Sequence, residues 1–165
     1  MKKKTITLYE YTELSPEAKT KALGNWNRTN DDPFMQSHMI NLLKEKLGER
    51  GIKYDADSID VLYSLSHCQG DGFMFTGKLQ CRGKTLTITH NDPHYCHSNT
   101  ASFSYDGKFT EKQLKLARGV YEAICKEMEE AGYAEIEYQQ SEEVFMETCE
   151  ANGYTFREDG TMENF

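Results

Sequence analysis

No stretch of the 165 residues is apolar for long enough to span a bilayer. Met1-Lys2-Lys3-Lys4 gives way to the alternating Thr5-Ile6-Thr7-Leu8-Tyr9 rather than to the apolar core of a signal peptide. A chain with neither secretory leader nor spanning helix is expected. The five cysteines, Cys68, Cys81, Cys96, Cys125 and Cys149, are odd in number, widely spaced and never form Cys-x-x-Cys. This excludes a secreted disulfide framework and points to a reducing cytoplasm. No Gly-x-Ser-x-Gly surrounds Ser64, Ser66 or Ser98, so the histidines near them do not make a nucleophile elbow. Internal repeats, linkers and low-complexity tracts are also missing, and 38% hydrophobic content is enough for one core, so residues 1–165 read as a single domain.

Positive charge is scarce at one end. Residues 121–165 hold 13 acids against Lys126 and Arg157, a net of −11, whereas residues 1–120 hold 14 acids and 17 bases, a net of +3. The total of −8 therefore belongs to the C-terminal quarter. Such a surface repels phosphates, which excludes direct nucleic-acid binding, and it suits a partner with a basic groove.

What is present alternates between helical and extended periods. Thr5 to Tyr11 reads as a short strand. Ser15 before Pro16 is a capped helix start, since a hydroxyl can hold free amides and proline gives up no needed N–H there. Asp32-Pro33 repeats the device for a helix to about Gly48, with Phe34, Met35, Met39, Leu42, Leu43 and Leu47 inward. Ile59 to Ser66, Phe73 to Cys81, Leu86 to His90 and Ala101 to Tyr105 then alternate as four strands, with Arg82-Gly83 and Asp106-Gly107 as turns. Short connections require antiparallel pairing. Thr110 and Gln113 form a capping-box pattern for a helix whose inward stripe includes Tyr121, Ile124 and Met128 and whose stop is Gly132. Ser141 caps a last helix carrying Val144, Phe145, Thr148 and Cys149 inward, ended by Asn152-Gly153. The fold class is α+β: an antiparallel meander of about four strands, flanked by N-terminal and C-terminal helices on one face.

The stretch Tyr63 to Gly77 carries the densest polar chemistry, at a Gly70-Asp71-Gly72 corner. Gly70, Gly72 and Gly77 are read as turn glycines with positive φ, and Asp71 as a carboxylate bonding nearby amides. A phosphate nest fits poorly, because no lysine follows and Asp71 opposes an anion. Gln69 and Asp71 remain available as partner contacts, as do Glu129, Glu130, Glu142 and Glu143 on exposed helix turns. His94, Cys96 and His97 are the metal-ligand candidates, alongside His67, Cys68 and Cys81. Their spacing lacks the two close pairs of a structural zinc site, so neither a metal nor another cofactor is expected.

The pattern Glu13-Leu14-Ser15-x-Glu17-Ala18-Lys19-x-Lys21-Ala22, then Tyr63-Ser64 with Gln69-Gly70-Asp71-Gly72-Phe73-x-Phe75-x-Gly77, then Tyr95-x-His97-Ser98, Ser141-Glu142-Glu143 and Phe156-x-Glu158-Asp159-Gly160 spans nearly the whole chain. It resembles a family of small proteins of bacteriophages and mobile elements, some of which carry an antitoxin label. The resemblance implies a phage-derived accessory protein in the cytoplasm of a bacterial host. Joined to the acidic quarter, it makes the leading expectation a non-enzymatic protein that binds and inhibits a bacterial host or defence protein. An anti-CRISPR-type inhibitor of a nucleic-acid-handling complex is one such case. The alternatives are a metal-dependent enzyme or small-ligand binder at the Gly-Asp-Gly and histidine segment, and an antitoxin neutralising a partner toxin.

Overall fold

The computed structural model describes residues 6–29, 32–81, 83–91 and 95–163. The elements in order are α1 (Pro16–Thr29), α2 (Met35–Glu49), β1 (Lys53–Tyr54), β2 (Asp60–Ser64), β3 (Gly72–Cys81), β4 (Lys84–His90), β5 (Ala101–Tyr105), α3 (Glu111–Gln139), α4 (Glu142–Asn152), β6 (Thr155–Phe156) and β7 (Met162–Glu163). The architecture is the expected α+β, with an antiparallel sheet built from β1 to β5. No helix among the described residues is long and apolar enough to cross a membrane. Two compact units divide the chain: residues 33–134, and residues 1–32 with 135–165.

The first of these holds the sheet, in which β3, β4 and β5 pair in succession and β1 and β2 share the other edge of β3. β2 pairs from Ser64↔Gly72 to Asp60↔Thr76, and β1 pairs at Tyr54↔Leu79 and Lys53↔Gln80. Gly77 lies between those registers. Its φ is +147°, and a Cβ there would stand 2.7 Å from Ile59 Cδ1 and 3.2 Å from the Ser58 carbonyl. The residue is thus inside a strand, where the loop joining β1 to β2 presses on it, and not at a turn.

Alternation places Phe73, Phe75 and Leu79 on one face of β3, under the helices. The Tyr121 ring of α3 packs 4.6 Å from that of Phe75, and its hydroxyl donates to the Phe75 carbonyl (2.9 Å) and accepts from the Phe75 N–H (3.2 Å). α2 brings Met39, Leu43 and Leu47, each fully buried. Met74 is buried on the opposite face, where Thr100 of a 3-10 turn (Ser98–Thr100) donates to its sulfur.

Two helix boundaries differ from expectation. α2 begins at Met35 with Phe34 in the N-cap position and no side-chain cap bond, and Phe34 is 73% exposed. One residue before the Met35-Met39-Leu43 stripe, it falls about 100° around the helix from the buried side. α3 does not stop at Gly132. It continues to Gln139, because Gly132 is a contact point: a Cβ there would meet Leu65 Cδ1 at 2.4 Å and Met39 Cε at 3.2 Å. The capping box at Thr110 forms as expected, with Gln113 N–H donating to Thr110 Oγ1 (3.2 Å) and Thr110 N–H to Gln113 Oε1 (2.9 Å).

The other unit has its own core of Tyr11, Leu14, Ala18, Ala22, Phe145, Cys149 and Phe156. Ser15 and Ser141 cap α1 and α4 through Ala18 N–H (3.2 Å) and Val144 N–H (3.3 Å). α1 and α4 face each other through this cluster, with Tyr11 edge-on to Phe145 at 5.0 Å. The expected first strand does not form from Ile6 on. Tyr9 makes a single bridge to Phe156, and Tyr11–Glu13 winds into a 3-10 turn. Among the described residues the segment pairs with the two-residue β6 alone, and β7 holds the far side of β6. Thr5 lies outside the described residues, as do Asn30, Asp31 and Arg82.

Candidate functional site

The corner between β2 and β3 is a four-residue turn, closed by Asp71 N–H donating to the Cys68 carbonyl at 3.1 Å with Gln69 and Gly70 at its centre. Neither Gly70 nor Gly72 has a positive φ; the left-handed residue is His67, at +58°. Gly72 is needed for another reason. A Cβ on it would stand 2.7 Å from His97 Nδ1 and 3.0 Å from the Cys96 carbonyl, so only glycine lets the 96–97 segment pass this close.

Asp71 is the hub of the corner. Its Oδ2 accepts from Ser66 N–H (2.7 Å), Cys68 N–H (3.0 Å) and the Tyr133 hydroxyl (2.5 Å), and its Oδ1 from Ser64 Oγ (3.1 Å), Ser66 Oγ (3.0 Å) and Cys68 Sγ (3.1 Å). Donors of this number favour the charged form. The Tyr133 hydrogen bond, above all, holds the Asp71 carboxyl well below the usual carboxylate range; partial burial opposes it, and the bonds from Cys68 and Ser66 add to it. The same bond, with burial and the Asp71 charge, pushes the Tyr133 phenol up to about 12. His67 stacks on the Tyr133 ring at 4.5 Å, so a strained residue and a carboxylate are both pinned to α3 by one tyrosine.

Tyr133 is the residue of this site that sequence reasoning missed. It follows Gly132, and a helix taken to end there leaves Tyr133 beyond it; the helical repeat continuing through residue 139 was the available signal. Gln69 is exposed at the centre of the turn, whereas Asp71 is half-buried with every oxygen engaged. The corner thus holds a carboxylate in place and offers Gln69 outward.

Among the described residues the metal-ligand candidates do not converge. No group of three or more His, Cys, Asp or Glu that could hold a metal ion occurs among the described residues. His97 stacks near Tyr95, with ring centroids 6.2 Å apart, and burial raises the pKa of the Cys96 thiol; His94 lies outside the described residues.

The acidic candidates fall into two pairs. Glu129 and Glu130 are neighbours on α3, half-buried and exposed respectively, with Lys126 3.9 Å from Glu130. Glu142 and Glu143 open α4, both exposed, and Glu142 accepts from the Tyr11 hydroxyl at 3.1 Å. That bond and burial raise the Tyr11 pKa, burial more. Beyond this pair α4 carries Glu147 and Glu150, also exposed, and no Lys or Arg. Glu143, Glu147 and Glu150 have the i, i+4, i+7 spacing of one helix face, with carboxylates about 6 and 4.5 Å apart along the axis. Exposed Met146 (40%) lies beside them.

No family model, no curated protein and no solved structure matches the chain.

Proposed function

We propose that this is a phage-derived accessory protein, acting in the bacterial cytoplasm, that binds and inhibits a host or defence protein through its acidic helix surface. The observation that supports this reading is α4, where four exposed glutamates and no base line eleven residues. Carboxylates on a helix present negative charge at spacings set by the helical repeat, without the backbone flexibility of a charged tail. That is the property a phosphate substitute needs to occupy a basic nucleic-acid groove, such as that of a CRISPR effector. Resemblance of the Gln69-Gly70-Asp71-Gly72 block to phage proteins supplies the biological setting. In this reading the protein is not an enzyme, and the corner at Asp71 serves the architecture.

The test is affinity capture from lysates of hosts with and without defence systems, using the wild-type chain and a Glu143→Lys/Glu147→Lys/Glu150→Lys variant side by side. A specific bacterial protein should be enriched by the wild type, and the variant should bind it at least about tenfold more weakly, as expected for loss of several charge contacts. Affinity should also fall as salt rises. Capture by both proteins alike, or none by either, would count against the proposal.

A further inference from the structure

Away from its buried stripe, α3 carries two neighbouring rows of residues spaced four apart. Lys112, Leu116 and Val120 make one row, and Gly119, Ala123 and Glu127 the other. The first is a ridge, with Leu116 65% exposed and Val120 36%. The second is a groove, because Gly119 has no side chain and Ala123 a single methyl, and both are exposed. A Cβ at Gly119 would meet nothing within 4 Å, so no contact within this chain accounts for a glycine in a helix interior, where alanine is favoured. Helices that approach to about 8 Å between axes need small residues of this kind at the contact.

Charge decides which helix would fit. Residues 111–120 hold Lys112, Lys115 and Arg118 against Glu111, a net of +2, while residues 121–130 hold Glu122, Glu127, Glu129 and Glu130 against Lys126, a net of −3. A second α3 laid antiparallel sets each sign against the other. A two-fold axis between Gly119 and Val120 then exchanges the two rows: Leu116 of one copy meets Ala123 of the other, Val120 meets Gly119, and Lys112 meets Glu127. Ridge enters groove twice along rows of four-residue spacing, the commonest helix packing, with axes crossing at about 50°. Glu127 accepts from Arg50 of its own chain at 2.5 Å, which positions the carboxylate, and Lys112 forms no ion pair among the described residues. The unit carrying this face is also nearly neutral. Residues 33–134 hold 12 bases and 13 acids, a net of −1 out of the chain's −8, so copies meet there without the repulsion of the acidic quarter.

We propose that the protein is a two-fold symmetric dimer in which α3 packs antiparallel on α3 of a second copy through Leu116, Gly119, Val120 and Ala123. The interface uses no residue of α4 and stands or falls independently of the acidic face there.

Sedimentation equilibrium of the full-length chain over a range of concentrations tests this. A mass twice that of one chain is expected at about 10–100 μM. Leu116→Glu, at a mostly exposed position, should weaken association about tenfold or more, since symmetry sets a charge in each groove. Gly119→Leu should weaken it as much by filling the groove, while the single chain keeps its fold because leucine is the better helix former. Lys112→Glu should weaken it about tenfold, as the change is repeated across the axis. Leu116→Cys/Ala123→Cys gives a positive reading: the two positions lie about 10 Å apart along one helix, too far to join within a chain, so oxidation should yield covalent dimers that wild type and the single variants do not. The proposal is overturned by a monomer throughout the range, or by a dimer that Leu116→Glu and Gly119→Leu leave intact. A monomer whose captured bacterial partner is lost with Leu116→Glu also overturns it, and gives the face to that partner.

Discussion

At the scale of single residues, the corner shows how one carboxylate can order a loop. Six donors converge on Asp71, two of them backbone amides of the turn and one a phenol from α3. Because its folded-state pKa is depressed, Asp71 contributes stability that is present above the unfolded carboxylate value, near pH 4, and is lost as pH falls toward the folded value. Asp71→Asn should therefore lower the melting temperature at pH 7, and the gap from wild type should narrow steadily below about pH 4. Tyr133→Phe should act in the same direction, more weakly, since five donors remain. A gap that stays constant from pH 7 to pH 3 would show that the Asp71 charge is not the source. The role of Asp71 as a bonder of nearby amides was legible in the sequence, because Asp beside Gly in a turn does little else. Tyr133 was not, since its sequence distance from Asp71 is 62 residues and only the packing of α3 brings it there. Gly70 stands in the turn as expected and Gly77 has the expected positive φ, but inside a strand, whereas Gly72 has no positive φ. Gly72 and Gly77 answer to close approach by segments at 96–97 and 58–59, which local pattern does not encode.

At the scale of elements, sequence was most reliable where a boundary depends on atoms next to it. Ser15, Thr110 and Ser141 each cap the helix they precede, because a hydroxyl reaching an amide two or three residues on needs nothing from the rest of the fold. The Asp32-Pro33 device was an exception, with α2 beginning at Met35, and boundaries that depend on distant partners failed. The Thr5 to Tyr11 segment has strand-forming residues but only Phe156 to pair with, and α3 passes through Gly132 because Leu65 and Met39 fill the space a side chain would take. Ser141→Ala separates local from tertiary support at α4. Loss of the bond to Val144 N–H should reduce stability by about 1 kcal/mol. Phe145→Ala, in the core of the same helix, should cost about 3–5 kcal/mol. Both are readable from the fluorescence of Trp26, the only tryptophan, which packs 5.3 Å from Phe145. Equal losses would mean that α4 is held by its cap rather than by the aromatic cluster of Tyr11, Phe145 and Phe156.

At the scale of the whole molecule, charge was the most legible property, since exposed glutamates remain exposed in almost any fold of this sequence. The contact between α3 and the sheet was the least legible: the Tyr121 hydroxyl meets the Phe75 backbone across 46 residues of sequence, and neither local pattern pairs the two. The charge also makes a prediction about stability that is distinct from the one about binding. With a net of −8, concentrated toward the C-terminus, the compact state carries self-repulsion that water only partly screens. Raising salt from about 10 mM to about 300 mM shortens the screening length from roughly 30 Å to below 10 Å, which relieves repulsion between helix turns while leaving hydrogen-bonded contacts such as Asp71 to Tyr133 in place. The melting temperature of the wild type should therefore rise with sodium chloride. Glu143→Lys/Glu147→Lys/Glu150→Lys exchanges three negative charges for three positive ones and brings the net from −8 to −2, so it should melt higher than wild type at low salt and gain less from added salt. A variant that melts lower at every salt concentration would mean that the α4 glutamates hold the fold together; they could not then be read as a face kept charged at the expense of stability, as expected if its use is to meet a basic partner.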